Sequence, residues 1–178
     1  QLQKMEANPT EWRCPEGFEK GTAGMNFLDP EDSYYFYPWG LYSGGHAQLD
    51  PVKSDEREPM IQGRDRSKTM ILGDSGGFQL ATGVIKMDWS NAKDPNDPVR
   101  TAFCKKILTW LEHTSDWSMT LDVPAFAAVG KLSERTGLTE FQDTLDISLL
   151  NLDYFLRNRN PGATKFLNVL SGSNEENS

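Results

Sequence analysis

The stretch ILGDSGGFQLATG, residues 71–83, joins an apolar run to an acidic, glycine-rich turn. The run Thr69–Gly73 predicts a short buried strand, and Asp74 begins the turn after it. Gly76 and Gly77 have two interpretations: they open a turn that needs positive φ, or their missing side chains let a flat ligand or a phosphate approach the backbone. A phosphate loop is disfavoured, since no Lys-Ser or Lys-Thr pair and no GxGxxG pattern accompanies the glycines. The stretch therefore predicts a strand that delivers a carboxylate to a turn.

The chain after this stretch alternates between helix and strand signals. Asp97 and Pro98 predict a helix start, with Asp97 as the N-cap and Pro98 in the first helical position. That helix is expected to end near residues 113–115. An apolar run at residues 118–121 predicts the next strand, and Asp122 stands at its end. The second strand thus repeats the pattern of the first, an apolar run followed by a carboxylate.

A second helix and a third strand continue the alternation. Thr139 and Gln142 have the spacing of a capping box, which predicts the start of the helix. The third strand is predicted at residues 166–170 and leads into Ser171 and Gly172. A stripe of apolar residues at helical spacing is expected to face the core, and it comprises Leu138, Phe141, Leu145, Leu149, Leu152 and Leu156.

Alternating strands and helices predict an α/β fold with parallel strands joined by crossovers. We expect three parts: a loop-rich segment with an aromatic cluster over residues 1–60, the α/β domain over residues 61–172, and a polar tail over residues 173–178. Within the first segment, a short strand is predicted at Tyr34–Tyr37. No apolar run approaches the roughly 20 residues that a membrane-spanning helix needs, so we expect no membrane contact.

Composition and charge narrow the function classes. Hydrophobic residues make up 37% and the mean hydropathy is −0.59, which is ordinary for a globular domain. Cys14 and Cys104 have no Cys or His at zinc-ligand spacing, so we expect reduced thiols, a cytoplasmic protein and no metal site. The net charge of −8 argues against a surface that binds phosphates all round, but it permits one basic face. The one basic cluster in the sequence is GRDRSK, residues 63–68.

Asp74 and Asp122 are expected to share a pocket. Parallel α/β folds bind ligands at the carboxyl ends of their strands, and neighbouring strands lie about 5 Å apart. Each carboxylate would then raise the proton affinity of the other. The pair could serve a glycoside-type displacement, or it could accept hydrogen bonds from the N–H edge of a heterocycle. The structural alternative is that each Asp only caps a turn.

Three segments together resemble one enzyme family. DSGGFQ, residues 74–79, resembles the signature of the tRNA-guanine transglycosylases, the queuine and archaeosine tRNA-ribosyltransferases. LDVP at residues 121–124 resembles the family's next strand end, and FLNVLSG at residues 166–172 resembles the strand that carries its base-binding Gln-Gly pair. RTGLTEFQDTLDISLLNL, residues 135–152, is more similar to phage and bacterial relatives that insert 7-deazaguanines into DNA. The resemblance covers roughly residues 35–172.

The resemblance implies a fold and a reaction. Members of that family are (β/α)8 TIM barrels that exchange a guanine in nucleic acid for a 7-deazaguanine such as preQ1, preQ0 or queuine. At 178 residues the chain would hold roughly the N-terminal half of such a barrel, which typically needs about 250. The implied function is that of a pentosyltransferase acting on tRNA or DNA, or of a fragment of one.

The resemblance also implies residue roles. Asp74 corresponds to the catalytic carboxylate that acts near the ribose and in general base work, and Asp122 to the carboxylate that binds the guanine-like edge of the base. Gly172 corresponds to a backbone contact with the base, whereas Ser171 stands where the family has Gln and reaches less far. The other expected base-binding residues are Ser75, Phe78 and Gln79, with Phe78 stacking or packing near the base.

The same resemblance sets expectations for cofactors and partners. The family's covalent nucleophile and its Cys/Cys/Cys/His zinc site lie beyond the matched part, so we expect no cofactor in this chain. The expected partners are nucleic acid, a 7-deazaguanine base, and either a second copy or a partner chain, because a half-barrel exposes apolar edges. Two alternatives stay open: a non-catalytic partner subunit of such an enzyme, and an α/β nucleoside hydrolase that uses the Asp74/Asp122 pair.

Overall fold

The computed structural model describes residues 16–21, 23–45, 49–62 and 64–168. The strands are β1 (Trp39–Ser43), β2 (Met70–Asp74), β3 (Trp117–Met119) and β4 (Lys165–Leu167). The helices are α1 (Pro51–Arg57), α2 (Pro59–Gln62), α3 (Gly77–Thr82), α4 (Pro98–Thr114), α5 (Gly130–Thr136) and α6 (Phe141–Asn158). Short 3-10 turns at Ala23–Met25 and Ala125–Ala128 complete the described secondary structure.

The four strands form one parallel sheet in the order β1-β2-β3-β4. The predicted α/β class with parallel strands is therefore confirmed. Because neighbours in the sheet are also neighbours along the chain, each connection crosses in the same sense, and right-handed crossovers place the helices on one face. Leu41, Leu72, Trp117 and Lys165 form one row across the sheet.

The core lies between this helix-bearing face and α4. Trp110 and Leu111 of α4 are fully buried, and the Trp110 ring lies 5.3 Å from the ring of Tyr42 on β1. Gly73 of β2 has no room for a side chain, because an added Cβ would collide with Leu111 and Ser115. Cys104 of α4 is fully buried as well, and burial raises the pKa of its thiol. Helix α4 thus packs directly against β2, the strand that ends at Asp74.

The helix α4 follows the predicted start. Its first helical residue is Pro98, and the Asp97 side chain accepts hydrogen bonds from the backbone N–H groups of Val99 and Arg100. It ends at Thr114, inside the predicted range of 113–115. The Asp-Pro pair predicts the helix start correctly because both residues act on the first turn. The Asp97 carboxylate accepts hydrogen bonds from its N–H groups, and Pro98 has no N–H that would be left without a partner.

The predicted cap of the second helix was wrong, and of its predicted buried stripe only Leu138, which lies just before the helix, belongs to the buried core. The capping box of α6 uses Glu140 and Asp143 in place of Thr139 and Gln142. Its buried face is largely polar and consists of Thr144, Ile147, Ser148, Asn151 and Phe155. Leu149 and Leu156 are 45% and 54% exposed. The leucine stripe therefore lies on a flank of the helix, because polar residues are needed on the face toward the sheet.

The strand predicted at Tyr34–Tyr37 was also wrong. The N–H groups of Tyr34 and Tyr37 donate to the carbonyls of Gly24 and Phe27 in the preceding loop, so this segment pairs with the loop and not with a strand. The first strand begins after Pro38, at Trp39. The other two strands are shorter than predicted in their described parts, and residues 169 and 170 lie outside the described residues.

β1 pairs with β2, so the segment before residue 60 contributes a strand to the sheet, while the proposed division into three parts stays a prediction. Among the described residues, no helix combines the length and the apolar character that crossing a membrane would require.

Candidate functional site

Two Ser-Gly-Gly turns meet at the carboxyl ends of β1 and β2. The first is residues 43–45 and the second is residues 75–77. The N–H of Gly44 donates to the carbonyl of Asp74 at 2.8 Å, and a Cβ added to Gly76 would lie 2.9 Å from the backbone nitrogen of Gly45. The two turns thus pack backbone to backbone. Sequence reasoning missed the first turn, although the repeated Ser-Gly-Gly was a readable signal.

Asp74 is the last residue of β2 and is half-buried. Its side-chain Oδ1 accepts a hydrogen bond from the N–H of Gly76 at 3.2 Å. Its neighbour in the sheet is Ser43 of β1, which is buried. Gly76 has a φ of +83°, a conformation that glycine adopts without strain. The turn therefore holds the carboxylate of Asp74 at the end of the strand by a local Asx-type contact.

Asp122 lies in the loop that follows β3, three residues beyond Met119. The sequence placed it directly at the strand end, so the strand is shorter than predicted. Polar residues of α6 hold this loop: the N–H of Val123 donates to the Ser148 hydroxyl at 2.8 Å, and the Asn151 amide donates to the carbonyl of Leu121 at 3.2 Å. These two bonds explain why the buried face of α6 is polar.

The carboxyl group of Asp122 has an unusual proton affinity. Burial raises its pKa to about 6, a hydrogen bond from its own backbone N–H opposes the shift, and the negative charge of Asp74 adds to it. The two carboxylates therefore interact, as their positions after neighbouring strands suggested. A carboxyl group with a pKa near neutrality can bind a base edge as the anion or exchange a proton.

Gly77 is required by packing against Asp122. A Cβ at this position would lie 2.6 Å from the carbonyl oxygen of Asp122 and 2.7 Å from its Oδ1. The second glycine of the motif therefore lets the start of α3 touch the carboxylate loop. Gly76 serves the turn itself, and Gly77 brings the turn to Asp122. The turn interpretation thus applies to Gly76, whereas Gly77 makes room for the protein's own Asp122 loop; close approach of a ligand to these glycines stays a prediction.

The remaining predicted residues of this loop point in different directions. Ser75 is buried, and its hydroxyl donates to the carbonyl of Thr120 at 3.2 Å, so it joins the β2 turn to the Asp122 loop. Phe78 is 60% exposed, and its ring meets Phe126 edge to face at 5.5 Å. Gln79 packs its side chain against Gly45, and its buried Oε1 has no hydrogen-bond partner among the described residues.

Ser171 and Gly172 lie outside the described residues. Within the described ranges, no group of three or more His, Cys, Asp or Glu side chains is arranged to hold a metal ion. The described site therefore comprises two interacting carboxylates, two glycine turns and an exposed aromatic ring.

A cleft of about 520 Å³ lies away from these carboxylates, on the outer side of α4. It is lined by Lys86, Met87, Asp88, Val99, Ala102, Phe103 and Lys106. We assign the candidate site to the strand ends and not to this cleft, because the strand ends hold the carboxyl group with the raised pKa.

The chain was also compared with family models, curated proteins and solved structures, and none of them matches it. The assignment of function therefore depends on the residues of the site and on the motif resemblance.

Proposed function

We propose that this protein is a base-exchange transglycosylase, or part of one, that replaces guanine in nucleic acid with a 7-deazaguanine. The observation that carries the proposal is the half-buried Asp122, whose pKa is raised to about 6 beside Asp74 and against Gly77. The DSGGFQ motif, which contains Asp74 and Gly77, adds the family resemblance.

Asp122 is proposed to bind the base. A guanine-like base presents its N1–H and an N2–H side by side, and one carboxylate can accept both hydrogen bonds. A partly desolvated carboxylate makes such charge-assisted bonds at lower cost than a fully hydrated one, because part of its water has already been removed. Phe78, exposed beside this site, offers a ring on which the flat base can stack.

Asp74 is proposed to act at the ribose and on protons. In the net reaction the C1′–N9 bond to guanine breaks and a C1′–N9 bond to the incoming base forms. One proton moves from N9 of the incoming base to the departing guanine, so no oxidant or reductant is needed. Asp74 lies at the strand end next to Asp122, where it can relay that proton as a general base and then a general acid.

The finer fold assignment is the N-terminal half of a (β/α)8 barrel. It is supported by the sequential order of the four parallel strands, since doubly wound sheets reverse their strand order and this sheet does not. It is also supported by the position of the candidate site at the carboxyl ends of the strands, where barrel enzymes bind their substrates.

We further propose that the polymer is tRNA or DNA, that the incoming base is a 7-deazaguanine, and that the protein is cytoplasmic. The zinc site and the covalent nucleophile of the resembling family are proposed to be supplied by a further segment or chain. In the described residues Asp74 and Asp122 are the groups assigned to the reaction.

Base binding is the direct test, since it does not require the complete enzyme. Equilibrium dialysis of labelled 7-deazaguanine and guanine should show saturable binding to the chain. Asp122→Asn should weaken that binding at least about tenfold, because an amide cannot accept both hydrogen bonds. Asp146→Asn, on the exposed side of α6, is the matched control and should bind normally. Equal binding by Asp122→Asn and the wild type would refute the site.

Exchange of labelled guanine into tRNA and into duplex DNA then tests the reaction. Incorporation that Asp74→Ala abolishes supports a transglycosylase and identifies its polymer. Base binding without exchange into either polymer would indicate a non-catalytic partner subunit. Release of free base from a nucleoside in the absence of polymer would indicate a nucleoside hydrolase.

A further inference from the structure

A positive charge is buried at the start of α4 without an acidic partner. Arg100 is the third residue of this helix and is 2% exposed. It forms no ion pair with a described carboxylate, and the buried Asp97 carboxylate bonds to its backbone N–H. A cation is unfavourable both in a protein interior and in the first turn of a helix. The position is therefore costly, and the hydrogen bonds of the guanidinium group are what offset it.

The guanidinium group of Arg100 joins the loop before α4 to helix α6. One terminal nitrogen donates to the carbonyls of Pro95 and Asp94, at 2.9 and 3.4 Å. The other terminal nitrogen donates to the Oδ1 atom of Asn151 at 3.3 Å. Arginine suits this bridge because its planar group holds several donors in a fixed geometry. The loop before α4 thus fixes the guanidinium group, which in turn fixes the Asn151 amide.

The amide of Asn151 passes this constraint to the loop of Asp122. Its Oδ1 also accepts a hydrogen bond from the Cys104 thiol at 3.2 Å, and its Nδ2 donates to the carbonyl of Leu121 at 3.2 Å. Burial raises the pKa of the Cys104 thiol to about 12, so the thiol keeps its proton and is a donor. Two donors at Oδ1 and one acceptor at Nδ2 permit a single orientation of the amide. The Arg100 charge polarises that amide and strengthens its bond to Leu121.

The carbonyl of Leu121 belongs to the peptide unit that carries the N–H of Asp122. A peptide unit is planar, so a bond that fixes its carbonyl also fixes the direction of its N–H. That N–H bonds to the carboxylate of Asp122 itself and lowers its pKa, against the effect of burial. The contacts therefore run without a break from Arg100 through Asn151 to the carboxylate of the candidate site.

We propose that Arg100 is a positioning residue for the Asp122 carboxylate and acts through Asn151 and the peptide unit between Leu121 and Asp122. Arg100 itself touches none of the groups assigned to the reaction. The bond from Val123 to Ser148 holds the other side of the loop without Arg100. Loss of Arg100 therefore frees the peptide unit while the loop stays in place. This inference rests on the role of Asp122 in the proposed function.

The pKa of Asp122 tests the proposal. In Arg100→Met the N–H of Asp122 loses its fixed direction while the carboxyl group stays buried, so the pKa should rise by about one pH unit. Carbon-13 NMR of the carboxyl group over a pH series measures the pKa, and Asp122→Asn identifies the signal. Arg157→Met removes an exposed arginine of α6 and, as the matched control, should leave the pKa unchanged. An unchanged or lowered pKa in the folded Arg100→Met variant would overturn the proposal, because a loop that is merely loosened admits water and lowers the pKa.

A double variant separates the relay through Asn151 from a direct effect of the charge. Asn151→Leu removes the relay and retains Arg100, so it should raise the pKa of Asp122 by a similar amount. Adding Arg100→Met to Asn151→Leu should raise the pKa no further, because residues that act through one another are not additive. A further rise in the double variant would show that the Arg100 charge acts on Asp122 through space, and it would overturn the relay.

Arg100→Lys keeps the test decisive if Arg100→Met does not fold. The lysine retains the charge and can donate to the carbonyls of the loop before α4, but it lacks the second arm that reaches Asn151. The same rise in the pKa of Asp122 is expected, and a wild-type pKa would overturn the proposal. Because the titration needs no base, the two proposals fail separately. Absence of base binding by the wild type would refute the proposed function, whereas the pKa of the Arg100 variants decides the positioning role.

Discussion

At the scale of single residues, the candidate site depends on Asp122, a carboxyl group whose ionisation is opposed by burial. The folded protein binds a proton on Asp122 more tightly than the unfolded chain does, since burial raises its pKa from 3.8 to about 6. This tighter proton binding stabilises the folded protein. The stabilisation is fully present below about pH 4 and is lost as the pH rises to 6. Above pH 6 the protein retains an ionised group that destabilises its own fold, which is typical of a functional residue.

Asp122→Asn is therefore expected to stabilise the protein while weakening base binding. The amide avoids the cost of burying a charge, so the free energy of unfolding at pH 8 should rise by about 3 kcal/mol, and the gain should vanish near pH 4. Urea unfolding at both pH values measures this difference. Asp146→Asn should change stability by less than about 0.5 kcal/mol at either pH. A loss of stability in Asp122→Asn at pH 8 would contradict the assignment.

Gly77→Ala tests the contact between the motif and the carboxylate loop. The new Cβ would lie 2.6 Å from the carbonyl oxygen of Asp122, so the loop must shift, at a cost of about 1–3 kcal/mol. Chemical denaturation should show this loss, and base binding should fall with it. Gly162→Ala is the control, because its Cβ would meet its nearest neighbour, Asn160 Oδ1, at an ordinary 3.6 Å. Equal stability of the two variants would show that Gly77 is not tightly packed.

At the scale of elements, helix α6 shows what the sequence could and could not predict. Its existence was predictable from spacing, as were α4 with its Asp97 cap and the strand that ends at Asp74. The orientation of α6 was not predictable, because the pattern rule assigns leucines to the core. Its buried face instead carries Ser148 and Asn151, which bond to a loop that is distant in sequence. Such long-range bonds leave no local pattern.

The same limit applies to the site. Both carboxylates were found because an apolar run ending in Asp is a local signal. The role of Ser75 was not, since its bond to the carbonyl of Thr120 joins the turn after β2 to the loop after β3, two segments that are distant in sequence. The repeat of Ser-Gly-Gly was readable in the sequence, but the packing of the first turn against the second was not, because that contact joins segments about 30 residues apart.

Ser148→Ala tests whether α6 positions the Asp122 loop. The N–H of Val123 would lose its buried acceptor, which costs about 1–3 kcal/mol. Base affinity should fall together with stability, because the loop that carries Asp122 would no longer be fixed. Gln142→Ala, at an exposed position on the same helix, should leave both quantities nearly unchanged. If Ser148→Ala lost stability but kept full base affinity, the helix would support the fold without positioning the carboxylate.

At the scale of the whole molecule, the proposed binding of nucleic acid by a chain of net charge −8 requires a local basic surface. The basic cluster at residues 63–68 does not provide one, because its cations are used within the fold. Arg64 bonds to Asp116, Arg66 bonds to the carbonyl of His113, and Lys68 pairs with Asp65 at 3.4 Å. This cluster also precedes β2, at the end of the sheet opposite to Asp74.

Lys86, which precedes α4, and Lys105 and Lys106 on α4 are better candidates for the proposed contact with nucleic acid. Lys86, Lys105 and Lys106 line adjoining clefts on the outer side of α4, and none of the three forms an ion pair with a described residue. Lys86 follows the site turn in sequence, and the N-terminus of α4 lies toward the carboxyl ends of the strands.

Replacing all three of these lysines by Gln should weaken nucleic-acid binding without affecting the free base. Each lost phosphate contact lowers the slope of log affinity against log salt by about 0.9 for duplex DNA, so the triple variant should lower it by two to three. Fluorescence anisotropy with labelled duplex DNA and tRNA over a salt series measures the slope, and dialysis of 7-deazaguanine should give wild-type affinity. Replacing Lys20, Lys68 and Lys131 by Gln changes the net charge equally and is the matched control. An equal loss in both variants would mean that only net charge matters and that α4 carries no defined binding surface.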